Sequence, residues 1–474
     1  MNYEAIIGLE IHAELKTRTK LFCSCKNEFG GEPNSRICPV CTGQPGTLPY
    51  VNGEAVRLAL RACLAFGCEI NRTSKQCRKH YFYPDLPKGY QISQRETPLG
   101  INGCFEFLSD GQVKCVGIEQ IHLEEDAGKL VHRSDGKTAI DYNRAGVPLI
   151  EIVTSPELHS AQEVRDFLES VRLRLLRTGV SDCRMEQGSL RCDVNVSLRR
   201  AGEAVLNDRV EMKNINTFSG AARAVEHEIE RQCKILDSGE AVLAETRKWD
   251  DEKRESRLMR TKETAVDYKF MPEPDIPAYV IDEKALTEAG YDIPESDVHR
   301  NIRYEKAGIS RNDRERLIAD VDMSDFFDGC ISSSQNASEC AKLIVGDVAS
   351  LLTRENVTLS QSHLTPGMIV EIADLIVSGS LGRGNAKVIL SKLLKNGGSV
   401  ASAAAELMSI DDDAVMEQTV KVIIADNPKA VADYKKGKEN AVTYLTGQCM
   451  RSLRGRANAE RLKTILLNEL KGEN

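Results

Sequence analysis

EAIIGLEIHAEL, residues 4–15, alternates cleanly from Ile7 onward: Ile7, Leu9, Ile11, Ala13 and Leu15 share one parity, Gly8, Glu10, His12 and Glu14 the other. Such period-two alternation predicts a strand with one buried and one polar face. Glu10 and His12 are two residues apart, so they project the same way with Cα atoms roughly 6.5–7 Å apart. A carboxylate and an imidazole so placed could share a divalent ion or a proton; equally, they could be charge on a solvated face. The choice turns on whether further carboxylates arrive on neighbouring strands.

A chain of 474 residues allows two to four domains, and 41% hydrophobic and 28% charged residues are ordinary for a globular protein. The net charge of −8 argues against coating nucleic acid by bulk charge, though not against a local basic patch. No apolar run approaches a membrane span of about 20 residues, and Met1 leads almost directly into the first strand, so a cytoplasmic protein is expected. In that compartment the fifteen cysteines read as thiols or metal ligands rather than disulfides.

Cys23, Cys25, Cys38 and Cys41 form C-x-C-x12-C-x2-C around a glycine-containing loop. Thiolates paired on two short turns suit a closed, structural zinc knuckle, the alternative being four unliganded thiols. The remaining cysteines, such as Cys63 and Cys192, read as small buried hydrophobes.

Beyond the knuckle, residues 52–67 predict a helix, and KHYFYPDLPKGYQISQ, residues 79–94, an ordered loop and short strand carrying Lys79 and Lys88. That loop could line a substrate site or simply pack. Residues 104–153 predict a meander holding the acidic run Glu124, Glu125, Asp126, and then Glu151 within an apolar stretch, where a carboxylate is costly without compensation. Ser160 and Glu163 predict a capping box opening a helix that ends at Gly179. Strands at 190–198 and 209–216 bring Asp193 and Glu211. Glu10, Glu151, Asp193, Glu211 and Glu125 are thus candidate carboxylates from several strands. With one imidazole they suit Mg2+ or Mn2+, but spacing alone does not say whether they converge.

The basic stretch 245–262, including Arg247, Lys248, Arg257, Arg260 and Lys262, reads as a solvated helix face or, alternatively, as a phosphate contact. From about Asp292 the texture turns helical, with Thr365 and Pro366 opening one helix and Gly397 closing the next. The glycines at 379, 382 and 384 follow no strand and are helix stops rather than a nucleotide fingerprint. After an acidic connector, 410–413, the last residues are locally basic: Lys429 to Asn474 holds ten Lys or Arg against five Asp or Glu, with Arg451, Arg454 and Arg456 at a helix end.

The segments IIGLEIHAELKTRTKLFCSC, SRICPVCTGQPGTLP, YFYPDLPKGYQISQ, HLEEDAGK, DYNRAGVPLIEIVTSPE, GSLRCDVNVSLR and EMKNINTF, in this order, resemble the GatB/GatE family of tRNA-dependent amidotransferase B subunits. The resemblance implies an α+β fold: a strand-rich cradle domain (1–293) with a four-cysteine zinc knuckle, a helical domain (294–408) and a YqeY-like tail (409–474) that grips tRNA. It implies ATP-dependent phosphorylation of the side-chain carboxylate of misacylated Glu-tRNA(Gln) or Asp-tRNA(Asn), then amidation with ammonia from a glutaminase A subunit, with a small C subunit completing a heterotrimer. Mapped onto this chain, Glu10, His12 and Glu125 become the expected catalytic Mg2+ ligands, and Glu151, Asp193 and Glu211 further ligands or their supports. The four cysteines Cys23, Cys25, Cys38 and Cys41 match the family's zinc site, while Lys79, Lys88, Arg257 and Arg260 are expected phosphate contacts on the residues' own reading. The chain departs from the family pattern at Lys269 and Ala459, and Trp249 is its sole tryptophan.

Overall fold

The computed structural model describes residues 3–203, 205–261, 268–405, 413–435, 438, 440–453, 457 and 459–472. Lys262, Arg454, Arg456 and residues 410–412 lie outside them. Two compact units divide the chain, Met1–Val298 and His299–Asn474.

Among the described residues, nine strands of the first unit form one sheet: β1 (Tyr3–Glu14), β2 (Glu69–Ile70), β3 (Gly100–Ser109), β4 (Gln112–Glu125), β5 (Pro148–Thr154), β6 (Leu190–Arg200), β7 (Val210–Ile215), β8 (Glu245–Asp250) and β9 (Glu255–Thr261). Their spatial order is β9-β8-β7-β6-β1-β5-β4-β3-β2, so β1 lies at the centre. Every pairing is antiparallel except β7 with β8. A large antiparallel sheet with helices segregated to one side agrees with the expected mixture of α and β.

The alternation of β1 sets which face is which. Ile7, Leu9, Ile11 and Ala13 are buried beneath α1 (Gly53–Ala65), α2 (Ala161–Arg177) and α3 (Phe218–Asp237) in one continuous core. Phe167 of α2 meets Phe105 and Phe107 of β3 edge-on at 5.6 and 5.3 Å, a geometry favoured by the ring quadrupoles. Ser160 caps α2 through the Glu163 N–H, but the Glu163 carboxylate accepts from His159 and pairs with Lys114 rather than completing the box. Helix and hairpin are thereby tied together.

Two expectations fail here. The basic stretch is a hairpin, β8 and β9, not a helix face: the Asp-Asp-Glu-Lys-Arg run turns the chain with Arg254 at φ 52°, and the strands flank it. Cys104 and Cys115 are joined as a disulfide on the exposed side of the β3–β4 hairpin, where cross-strand proximity, invisible in their separate sequence contexts, brings them together.

In the second unit, the cap at Thr365, the first-turn Pro366 and the helix-ending Gly397, at φ 65°, fall where the sequence puts them. Met416, Val420, Leu445, Cys449, Leu462 and Leu466 build a hydrophobic cluster of their own near its end. No helix among the described residues is long and apolar enough to cross a membrane.

Candidate active site

The polar face of the sheet is assembled by register. His12 on β1 lies opposite Glu151 on β5, which lies opposite His122 on β4. One row further along, Glu14, Leu149 and Glu124 stand side by side, and Glu10 faces Asp193 of β6. Directly paired residues of an antiparallel sheet project from the same face, so these side chains share one surface. Glu10, His12, Glu124, Glu151 and Asp193 line an open trough of about 660 Å³ together with Lys79, Arg144, Arg191, Arg209, Lys213 and Arg260.

Two groups of candidate ligands result, each with its ligand atoms within 4.8 Å of one another: His12, Glu124 and Glu151, and Glu10, Asp193 and Glu211. In the first, His12 Nε2 lies 3.4 Å from Glu124 and 3.7 Å from Glu151. Behind it, His122 Nε2 is 3.0 Å from Glu151 Oε2. Burial opposes charge on His122, yet Glu151 and Glu124 overcome it and push its pKa up to about 10. Burial likewise resists ionisation of Glu124 and Glu151, but the two imidazoles hold both carboxyls below the ordinary range.

The second group has a different counterion. Lys213 Nζ reaches Asp193 at 2.5 Å and Glu211 at 2.8 Å, and these carboxylates keep it protonated against the cost of burial. Burial and the neighbouring Glu151, Glu211 and Asp193 raise the pKa of Glu10, which accepts a hydrogen bond from Asn195. At the other end of the trough Arg191 pairs with Asp126 at 2.6 Å, and burial together with Asp126 pushes Glu14 up to about 7 despite Arg191 and Arg144.

Glu10, His12, Glu151, Asp193 and Glu211 therefore come together, with Lys79 and Arg260 on the trough wall. Glu125 does not join them. It shares the parity of Ile121 and Leu123, so it leaves the sheet on the opposite side from Glu124, where it pairs with Lys88 and accepts the Ile92 N–H. Lys88 and Glu125 border a different cavity, beside Cys23 and Cys41. Arg257 lies on the exposed edge of β9 and pairs with Glu255. Strand parity and position thus set Glu125, Lys88 and Arg257 apart from the residues gathered in the trough. The signal is present in the sequence: alternation in Ile-His-Leu-Glu-Glu, residues 121–125, groups His122 with Glu124.

Cys23, Cys25, Cys38 and Cys41 also converge, their sulfurs within 4.8 Å of one another. Lys20, fully buried, places Nζ 3.7 Å from Cys41 Sγ and donates to the Tyr142 carbonyl. Four clustered sulfurs beside an ammonium fit a tetrahedral thiolate site.

Residues 5–287 match the model of the GatB/GatE catalytic domain, and residues 325–470 match that of the GatB domain. A protein of Ruminiclostridium cellulolyticum, 46% identical over 99% of this chain and 98% of its own, is named as the B subunit of an aspartyl/glutamyl-tRNA(Asn/Gln) amidotransferase. So are relatives from Caldicellulosiruptor bescii and Carboxydothermus hydrogenoformans, 44% and 43% identical over 99% of both chains in each comparison. With its motifs in the same order and nearly its whole length matched, this chain belongs to the GatB family.

Proposed function

We propose that this chain uses ATP to activate the side-chain carboxylate of glutamate or aspartate carried on tRNA(Gln) or tRNA(Asn), which ammonia then converts to the amide. The observation that carries this reading is the trough itself: two carboxylate-rich groups on one rigid sheet face, walled by Lys79, Arg144, Arg191, Arg209 and Arg260. The relatives' shared name supports the substrate.

A carboxylate is a poor electrophile. Its oxygen bonds to the γ-phosphorus of ATP as the bond to ADP breaks. The nitrogen of ammonia then bonds to the carbonyl carbon, the bond to the former carboxylate oxygen breaks, and phosphate leaves with that oxygen and the proton the nitrogen gives up. Positioning and charge stabilisation dominate phosphoryl transfer, and a strand-borne site supplies both.

One imidazole nitrogen with carboxylate oxygens is a donor set for a hard divalent cation. His12, Glu124 and Glu151 would hold Mg2+ or Mn2+, with Glu10, Asp193 and Glu211 as a second group. Such an ion supplies neutralisation of charge developing on phosphoryl oxygens. Lys79 and Arg260 contact phosphate, and Asn195 orients Glu10 by donating to it.

The word "subunit" in the relatives' name supports partners: a glutaminase A subunit as ammonia source and a small C subunit, in a cytoplasmic heterotrimer. Residues 1–293 form the catalytic part, 294–408 the helical domain and 409–474 the tRNA-gripping tail. Zinc on the four cysteines is structural, since four thiolates leave no open position.

The test is Glu151→Gln in the assembled complex. Amidation of Glu-tRNA should fall at least about 100-fold, even with ammonium supplied, while glutamine hydrolysis persists. Full amidation by the variant would refute the assignment.

A further inference from the structure

His122 stands behind the His12, Glu124 and Glu151 group without belonging to it. It is 5% exposed, and register fixes it next to Glu151. Its Nε2 lies 3.0 Å from Glu151 Oε2 and 3.6 Å from Glu124 Oε2. Both atoms are acceptors, so Nε2 must carry the hydrogen. Its other ring nitrogen, Nδ1, is buried with no hydrogen-bond partner among the described residues.

Those facts make an unusual pattern. A buried histidine serving the fold normally satisfies both ring nitrogens, because an orphaned polar atom is costly to bury. Among the described residues, the side chain's polar neighbours are two carboxylates that also face His12, and an apolar side chain would avoid the cost. A local rule broken where side chains converge on chemistry points to function.

We propose that His122 is a positioning residue: its Nε2–H fixes the Glu151 carboxylate, with Glu124 in reach, and so sets the affinity of the His12–Glu124–Glu151 group for a divalent cation. The proposal rests on reading that group as a cation site. The physical cause is preorganisation. A carboxylate already held by a neighbour's N–H loses less rotamer freedom when a cation arrives, and its accepting oxygen is turned in a defined direction. Glu124 Oε2, 3.6 Å from His122 Nε2, is instead held by the Ser93 hydroxyl, which donates to it at 3.2 Å.

The experiment follows Mn2+ binding to the full chain by the electron paramagnetic resonance signal of free Mn2+, a readout independent of activity. Thermal unfolding serves as the check on folding. His122→Leu and His122→Asn both remove the Nε2 donor, whereas His122→Gln places an amide N–H near the same point. The first two should weaken Mn2+ binding by about 10–100-fold, and the Gln variant should recover most of that loss. If His12→Ala loses Mn2+ while His122→Leu and His122→Asn bind like the wild type, the role of His122 is overturned and the cation site stands. If all variants including His12→Ala bind like the wild type, both are overturned. Equal weakening in the Leu, Asn and Gln variants would make the effect one of packing and would also overturn the proposal.

Discussion

The carboxylate of Glu124 lies 3.4 Å from the imidazole of His12, while Glu125, the next residue, is held by Lys88 away from that group. Two adjacent acids therefore do different work. Glu124→Gln should weaken Mn2+ binding at least about tenfold. Glu125→Gln should leave Mn2+ binding intact and lower stability by about 1–3 kcal/mol, because it leaves the half-buried Lys88 ammonium without its countercharge. Mn2+ titration and urea unfolding of the two variants separate these outcomes; the reverse pattern would return Glu125 to the ligand set.

Lys213 bridges Asp193 and Glu211 and so neutralises the second group from within. An ammonium paired with two of the three carboxylates competes with a divalent cation for the same charge. Lys213→Met should therefore raise Mn2+ binding by one ion per chain at equal free Mn2+. Unchanged stoichiometry would mean that Lys213 does not block this group.

How much of this is legible in the sequence depends on what each feature needs. The alternation of Ile7 to Leu15 is sufficient to place β1 with Glu10 and His12 on its polar face, because parity is local. Convergence is not legible, since Glu151 and Asp193 meet β1 only through register across long connections. The resemblance points to Glu125 rather than Glu124, although Ile121 and Leu123 already mark the parity of Glu125. The basic run around Arg247 and Arg257 suggests a helix face because its charges hide the turn at Arg254. The Cys104–Cys115 pairing depends on a hairpin register that neither cysteine's neighbours reveal.

Glu163 supplies a pH-dependent prediction. Burial pushes its carboxyl up, but Lys114 and the His159 N–H outweigh that and hold it below the ordinary value. A depressed folded-state pKa contributes stability above the unfolded pKa and loses it as pH falls through the folded one. Glu163→Gln should cost about 1–2 kcal/mol at pH 7, and the difference from the wild type should shrink below about pH 4. Unfolding midpoints across that range check it; a cost independent of pH would contradict the linkage.

The four-cysteine group predicts one zinc per chain by elemental analysis. Cys38→Ser should release it and expose the 26–37 loop to protease, while the trough, carried by the sheet, keeps its Mn2+ affinity. A chain that never binds zinc yet melts unchanged on chelation would leave these residues as plain thiols.

The central claim is that a tRNA-linked carboxylate is activated by phosphorylation in the trough holding His12, Glu124 and Glu151. Glu-tRNA(Gln) with both side-chain carboxylate oxygens of its glutamate labelled as 18O tests it directly in the assembled complex with ATP and glutamine. Activation through an acyl phosphate predicts one 18O atom in the inorganic phosphate for each amide formed. Amide formation with no 18O in the phosphate would contradict it.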